Sequence, residues 1–141
     1  MAFSFKEGDI IYLKKVPYTN HPKYQLTLNI EKELFFVINS DINNTIAINS
    51  DFKNCQVVLS KLPNHNFMPN DTSYIACHQL APKIRCDEIE KMIKVKEAEV
   101  IGKIDEATLE KVKDTVLNYS RLTLTGFEIL YIKEGLDKVN N

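Results

Sequence analysis

The chain has 141 residues, 44 % of them hydrophobic and 26 % charged, and a formal net charge of −1. That length suits one domain, and the apolar share supports an ordinary core, which excludes a wholly disordered chain. A net charge this close to zero supplies no global field for DNA, RNA or an anionic membrane, so any nucleic-acid role rests on a local patch.

The longest apolar runs are four or five residues, as in Leu34 to Ile38. A bilayer-spanning helix needs about 18 or more, so no membrane partner is expected. The start, Met1 to Glu7, has no basic flank followed by an apolar stretch and does not read as a signal peptide. Cys55, Cys77 and Cys86 form an odd set and read as reduced intracellular thiols, with Cys55 and Cys77 as small core residues in a cytoplasmic protein.

Residues 1 to about 80 carry β signals. Gly8-Asp9 marks a turn before a short strand, Ile10 to Leu13. Val16 to Pro22 holds two prolines and an Asn, so it reads as a loop. Tyr24 to Ile30 alternates, with Tyr24, Leu26, Leu28 and Ile30 on one face and Gln25, Thr27 and Asn29 on the other. This predicts a half-buried strand. After the polar connection Glu31-Lys32-Glu33, Leu34 to Ile38 predicts a strand buried on both faces. Thr45 to Ile48, Gln56 to Leu59 and Thr72 to Cys77 complete the predicted strands, the last two separated by an Asn- and Pro-rich loop, Leu62 to Asp71. β segments at such short spacing predict a small, strongly curved barrel or sandwich.

After Pro82 the pattern turns helical. Asp87 to Lys94 predicts a short helix with Asp87 as N-cap. Asp105 predicts the N-cap of a second helix, with Glu106 in its first turn and no full capping box, because Thr108 stands where Glu would. Ile104, Leu109, Val112, Val116 and Tyr119 share one face, opposite Lys111, Lys113 and Asp114. Phe127, Leu130 and Tyr131 suggest a final short helix. The organisation is therefore one domain over 1–141, with a β-barrel-like part over 7–82 and a helical part over 83–141. The fold class is α+β and mostly β.

The common catalytic patterns are missing. Four unclustered glycines make no phosphate-binding loop, and no Gly-x-Ser-x-Gly elbow occurs. The gaps between Cys55, His65, His78 and Cys86 match no zinc-finger or ribbon spacing, so no metal or other cofactor is expected. One constellation does suggest chemistry. The loop Tyr18 to Pro22 ends on Lys23 and leads into the alternating strand, and the next strand ends in Asn39-Ser40-Asp41. If the two strands form a hairpin, Lys23, Asn39 and Ser40 meet at one end of the sheet. A cation beside hydroxyl and amide donors makes a phosphate-binding cluster.

The order of elements resembles the MazF/PemK family of toxins from toxin–antitoxin modules. The resemblance runs over about residues 7–122. It is carried by Gly8-Asp9-Ile10-Ile11-Tyr12, by Pro22-Lys23-Tyr24-Gln25-Leu26 and by Phe36-Val37-Ile38-Asn39-Ser40. The more specific part is Asp71-Thr72-Ser73-Tyr74-Ile75, Gln79-Leu80 and Ile101-Gly102-Lys103-Ile104. It implies an SH3-like, strongly curved antiparallel sheet with C-terminal helices packed on it, and a homodimer. A small open sheet with an edge to cover, and a charge too low to repel, agree with self-association. The resemblance also implies metal-independent cleavage of single-stranded RNA by the ribose 2′-hydroxyl, growth inhibition, and a small antitoxin protein as partner.

By position, the family's catalytic Arg corresponds to Lys23 and its Thr or Ser to Asn39 or Ser40. The two arginines of the chain, Arg85 and Arg121, lie elsewhere in the sequence. Arg's planar fork matches phosphate in a way Lys does not, and His21 stands ready for an acid/base role the family does not normally give that position. The catalytic candidates are therefore His21, Lys23, Asn39 and Ser40, with Lys14, Tyr18 and Asn20 as RNA-contacting candidates. The alternative is a non-catalytic SH3-like binding module, a degenerate toxin relative or a phage or plasmid regulator.

Overall fold

Residues 2–139 are described by a computed structural model. Six strands form one sheet: β1 (Asp9–Leu13), β2 (Lys23–Asn29), β3 (Leu34–Asn39), β4 (Gln56–Ser60), β5 (Thr72–Ala76) and β6 (Ala98–Lys103). Five helices accompany them among the described residues: α1 (Asn44–Ala47), α2 (Ser50–Lys53), α3 (Cys86–Lys94), α4 (Glu106–Asn118) and α5 (Gly126–Leu136). The class is α+β. The strand order is β4-β5-β3-β2-β1-β6 and every pairing is antiparallel. The sheet ends on β4 and β6 and is not closed.

β1 starts at a turn whose Gly8 has φ +89°, a conformation open to glycine and costly for other residues. β2 and β3 form the predicted hairpin, with Tyr24 opposite Ile38 and Leu26 opposite Phe36. β3 is buried on both faces as expected: Phe35 and Phe36 belong to different core clusters.

The alternating strand differs from its prediction. Gln25, Thr27 and Asn29 are buried along with Leu26 and Leu28. The reason is a second covered face. Ile10, Leu26, Leu28, Phe36 and Ile75 pack with Leu109, Val112 and Val116 of α4 and Ile132 and Leu136 of α5. On the other side, Phe5, Ile11, Leu13 and Phe35 pack with Ile84, Cys86 and Ile89 at α3. Local alternation reports which faces differ in polarity; it carries no information about a distant helix that covers the polar one. Gln25 is satisfied by its Nε2 donating to the Tyr18 hydroxyl at 2.7 Å. Asn29 Nδ2 donates to the Tyr131 carbonyl at 2.8 Å.

Three other elements differ. Thr45–Ile48 is not a strand. Asn43 caps α1 by accepting from the Ile46 N–H at 2.9 Å, and Asn49 caps α2; short polar side chains that bond nearby N–H groups favour such caps over a strand. The segment after Pro82 also supplies β6, which pairs with β1 from Leu13↔Ala98 to Asp9↔Lys103. Finally, α3 begins one residue before Asp87. Its N-cap Arg85 makes no side-chain cap bond, and the Glu33 carboxylate from the β2–β3 turn accepts the Cys86 N–H at 2.6 Å instead.

Helix α4 is capped by Asp105, whose Oδ1 accepts the Thr108 N–H at 2.9 Å. Leu109, Val112 and Val116 are buried as the periodicity predicts. Tyr119 is not; it sits 48 % exposed at the C-cap, where α4 gives way to a 3₁₀ turn over Ser120–Leu122. Helix α5 is present, but Phe127 and Leu130 are exposed, and Ile132 and Leu136 carry its buried face. Cys55, Cys77 and Cys86 are all buried and free.

Candidate functional site

The β2–β3 hairpin fixes the site by register. Tyr24 pairs with Ile38, so Lys23 and Asn39 stand one residue further at the same end of the sheet. β5 pairs with β3 through Asn39↔Tyr74, which sets Ser73 beside Ser40. The β4–β5 connection, closed by the Lys61 N–H donating to the Asp71 carbonyl at 2.9 Å, carries Met68, Pro69 and Asn70 to the same place.

The result is a cavity of about 400 Å³ whose lining includes His21, Lys23, Asn39 and Ser40. That volume lies within the roughly 300–1,000 Å³ of small-molecule sites. Ile38 and Met68, both almost fully buried, take part in its lining beside Tyr24. Asp41, Asn43, Asn70 and Ser73 supply the remaining polar groups.

The donors are open. Among the described residues, Lys23 makes no ion pair, and the side chains of Asn39, Ser40 and Asn70 make no hydrogen bond. Asn43 uses only its Oδ1, on the Ile46 N–H, which leaves its amide N–H₂ to the cavity. His21 is exposed, and its backbone N–H donates to Thr19 Oγ1 at 3.4 Å. Asp41 is the one acidic residue of the lining, and its Oδ1 accepts from the Ile42 N–H at 2.8 Å.

The four catalytic candidates therefore share one cavity. The three RNA-contacting candidates do not line it. Tyr18 is half-buried against the α3-side core and accepts the Gln25 amide; burial pushes its hydroxyl pKa up, with the Gln25 bond opposing. Lys14 borders a different depression with Ile93, Lys96 and Glu99. Asn20 is exposed in the loop before Pro22. Cys86 packs in the α3-side cluster and Cys55 in the α4-side cluster, so these two thiols do not share a site.

Sequence reasoning did not place Asn43, Asn70 or Ser73 at the site, and it named Asp41 only as the end of the Asn39-Ser40-Asp41 run. Asn70 belongs to a long Asn- and Pro-rich loop, the kind of segment that carries function, and that was the available signal. Ser73 arrives through the β3–β5 register, for which no local pattern exists. Comparison of the chain with family models, curated proteins and solved structures finds no match.

Proposed function

We propose that the cavity binds an RNA phosphate and that the chain is a toxin-like endoribonuclease of a toxin–antitoxin module, cleaving single-stranded RNA without a metal. What carries the reading is the convergence of His21, Lys23, Asn39 and Ser40, with donors unused by the protein itself, on one cavity. In the reaction the ribose 2′-oxygen attacks the adjacent phosphorus, its proton passes to a base, and the 5′-oxygen leaves as it gains a proton. The products are a 2′,3′-cyclic phosphate and a 5′-hydroxyl. Lys23 balances the phosphorane charge, and Ser40 and Asn39 donate to its oxygens. His21 moves a proton. A strongly curved, SH3-like form of the sheet, a homodimer and a small antitoxin partner belong to the same proposal.

The second reading, a non-catalytic binding module, is favoured by Asp41. A carboxylate in the same lining opposes the charge of a phosphorane. The deciding experiment incubates purified protein with single-stranded RNA in EDTA and looks for cyclic-phosphate ends. Cleavage that falls by about 10²–10³ in a folded Lys23→Ala variant supports the nuclease. No cleavage of any RNA, with retained binding, leaves the binding module.

A further inference from the structure

We propose that the cavity continues past Asn39 and Asn43 into a nucleobase subsite headed by His78, which selects a base bearing a carbonyl acceptor over adenine. The proposal rests on the reading that the first cavity holds an RNA phosphate. Asn39 and Asn43 line both that cavity and a second one of about 190 Å³, so the two adjoin. The second is smaller than an independent ligand site and fits one subsite of a longer groove.

Its lining suits a flat ring. Val37, Ile46, Leu80 and Pro82 supply apolar surface, and His78 and Gln79 supply polar edges. Bases without duplex partners are recognised in this way, by apolar contact with the ring face and hydrogen bonds to the edge.

The His78 ring is held in one state. Gln56 Nε2 donates to the Phe52 carbonyl at 3.0 Å, which fixes that atom as the amide nitrogen. The same nitrogen lies 3.0 Å from His78 Nδ1. Nδ1 must therefore accept, and the ring proton sits on Nε2. Phe52 packs against the imidazole with ring centroids 4.8 Å apart. Among the described residues Nε2 has no hydrogen-bond partner. Burial pushes the His78 pKa down, so the neutral ring persists near neutral pH. The subsite thus presents a fixed N–H donor beside an apolar wall. Uracil and guanine offer an exocyclic carbonyl to such a donor, at the edge where adenine carries an amino group that is itself a donor.

The test measures fluorescence anisotropy of labelled oligo-U and oligo-A, in the unmodified protein and in His78→Asn, His78→Gln and Lys23→Ala. Gln can place an N–H where Nε2 stood, and Asn cannot. Expected is a preference for oligo-U over oligo-A of about fivefold, the worth of one net hydrogen bond. The preference should be kept in His78→Gln and lost in His78→Asn, while Lys23→Ala weakens both RNAs equally. A second measurement needs no variant. The imidazole Nε2–H resonance of the unmodified protein should shift with uridine 5′-monophosphate and stay with adenosine 5′-monophosphate. RNA binding with no U-over-A preference, or a preference unchanged in folded His78→Asn, overturns the subsite and leaves the phosphate site standing. No binding of either RNA or either nucleotide overturns both.

Discussion

The backbone N–H of Asp105 donates to Nε2 of His65 at 3.0 Å. The other ring nitrogen lies 2.8 Å from the Ser60 carbonyl. Nε2 therefore accepts and Nδ1–H donates, so the buried His65 is a neutral strut between the end of β4 and the start of α4. Its ring also meets Phe67 edge-on at 5.8 Å. A buried histidine with both nitrogens engaged by backbone is a structural residue, which is why His65 takes no part in the candidate site.

His65→Ala should destabilise the fold by about 2–4 kcal/mol. It opens a cavity and leaves the Ser60 carbonyl and Asp105 N–H without partners. Urea unfolding followed by far-UV circular dichroism reads this as a lowered midpoint with unchanged slope. A change below roughly 0.5 kcal/mol would show that water replaces both bonds at no cost.

Asp105 should make stability fall in acid. Burial pushes its carboxyl pKa up, but hydrogen bonds from Thr108 and Asn64 outweigh that and hold it at about 2. The folded value is below the ordinary one near 3.9. The stabilisation is therefore complete above about pH 4 and is lost as pH falls through the folded value. Asp105→Asn keeps an N-cap acceptor and removes the charge. Unfolding at pH 5.5 and pH 2.5 should show the wild type losing about 1–2 kcal/mol more than the variant. Equal losses would assign the acid sensitivity to other carboxylates.

Gly135 is where α5 meets β2 without a side chain. A Cβ there would overlap the Leu28 carbonyl oxygen and crowd Asn29, both on the central strand. Backbone cannot move aside as a side-chain tip can, so Gly135→Ala should cost about 1–3 kcal/mol despite alanine's better helix propensity. Gly126 has open space around the same hypothetical Cβ and serves as the control position. A stabilised Gly135→Ala protein would show that α5 shifts freely on the sheet.

The parts legible in sequence were those with a local cause. The β2–β3 hairpin follows from a three-residue polar connection between two strand patterns, and α4 from an Asp cap ahead of a 3.6-residue period. The capping box of α5 was also written locally, as Thr125 and Glu128, although Phe127 and Leu130 drew attention to the wrong face. The illegible parts depend on distant packing. β6 follows a helix and needs β1 beside it to be a strand. Gln25 and Thr27 lie beside their register partners Ile11 and Phe35, which pack with Phe5 and with Ile89 of α3, and Thr27 Oγ1 has no hydrogen-bond partner among the described residues. At the site, Lys23, Asn39 and Ser40 were brought together by the hairpin alone. Asp41 was named as the end of the same strand, but not as part of a lining shared with Asn70 and Ser73.

Lys23 and Asp41 should act in opposite directions on RNA affinity. Each phosphate neutralised on a single strand contributes a slope of about −0.7 to the dependence of log K on log salt. Lys23→Ala removes the cation of the cavity, so it should weaken oligonucleotide binding and make the slope shallower by about 0.7. Lys91→Ala, on an exposed part of α3, should leave the slope unchanged. Asp41→Asn removes the carboxylate from the same lining and should tighten binding by about threefold at low salt, an advantage that screening erases near 1 M. Titrations of a short labelled RNA over a salt series check all three variants. If Lys23→Ala and Lys91→Ala change the slope alike, the contact is diffuse and the phosphate does not sit in this cavity.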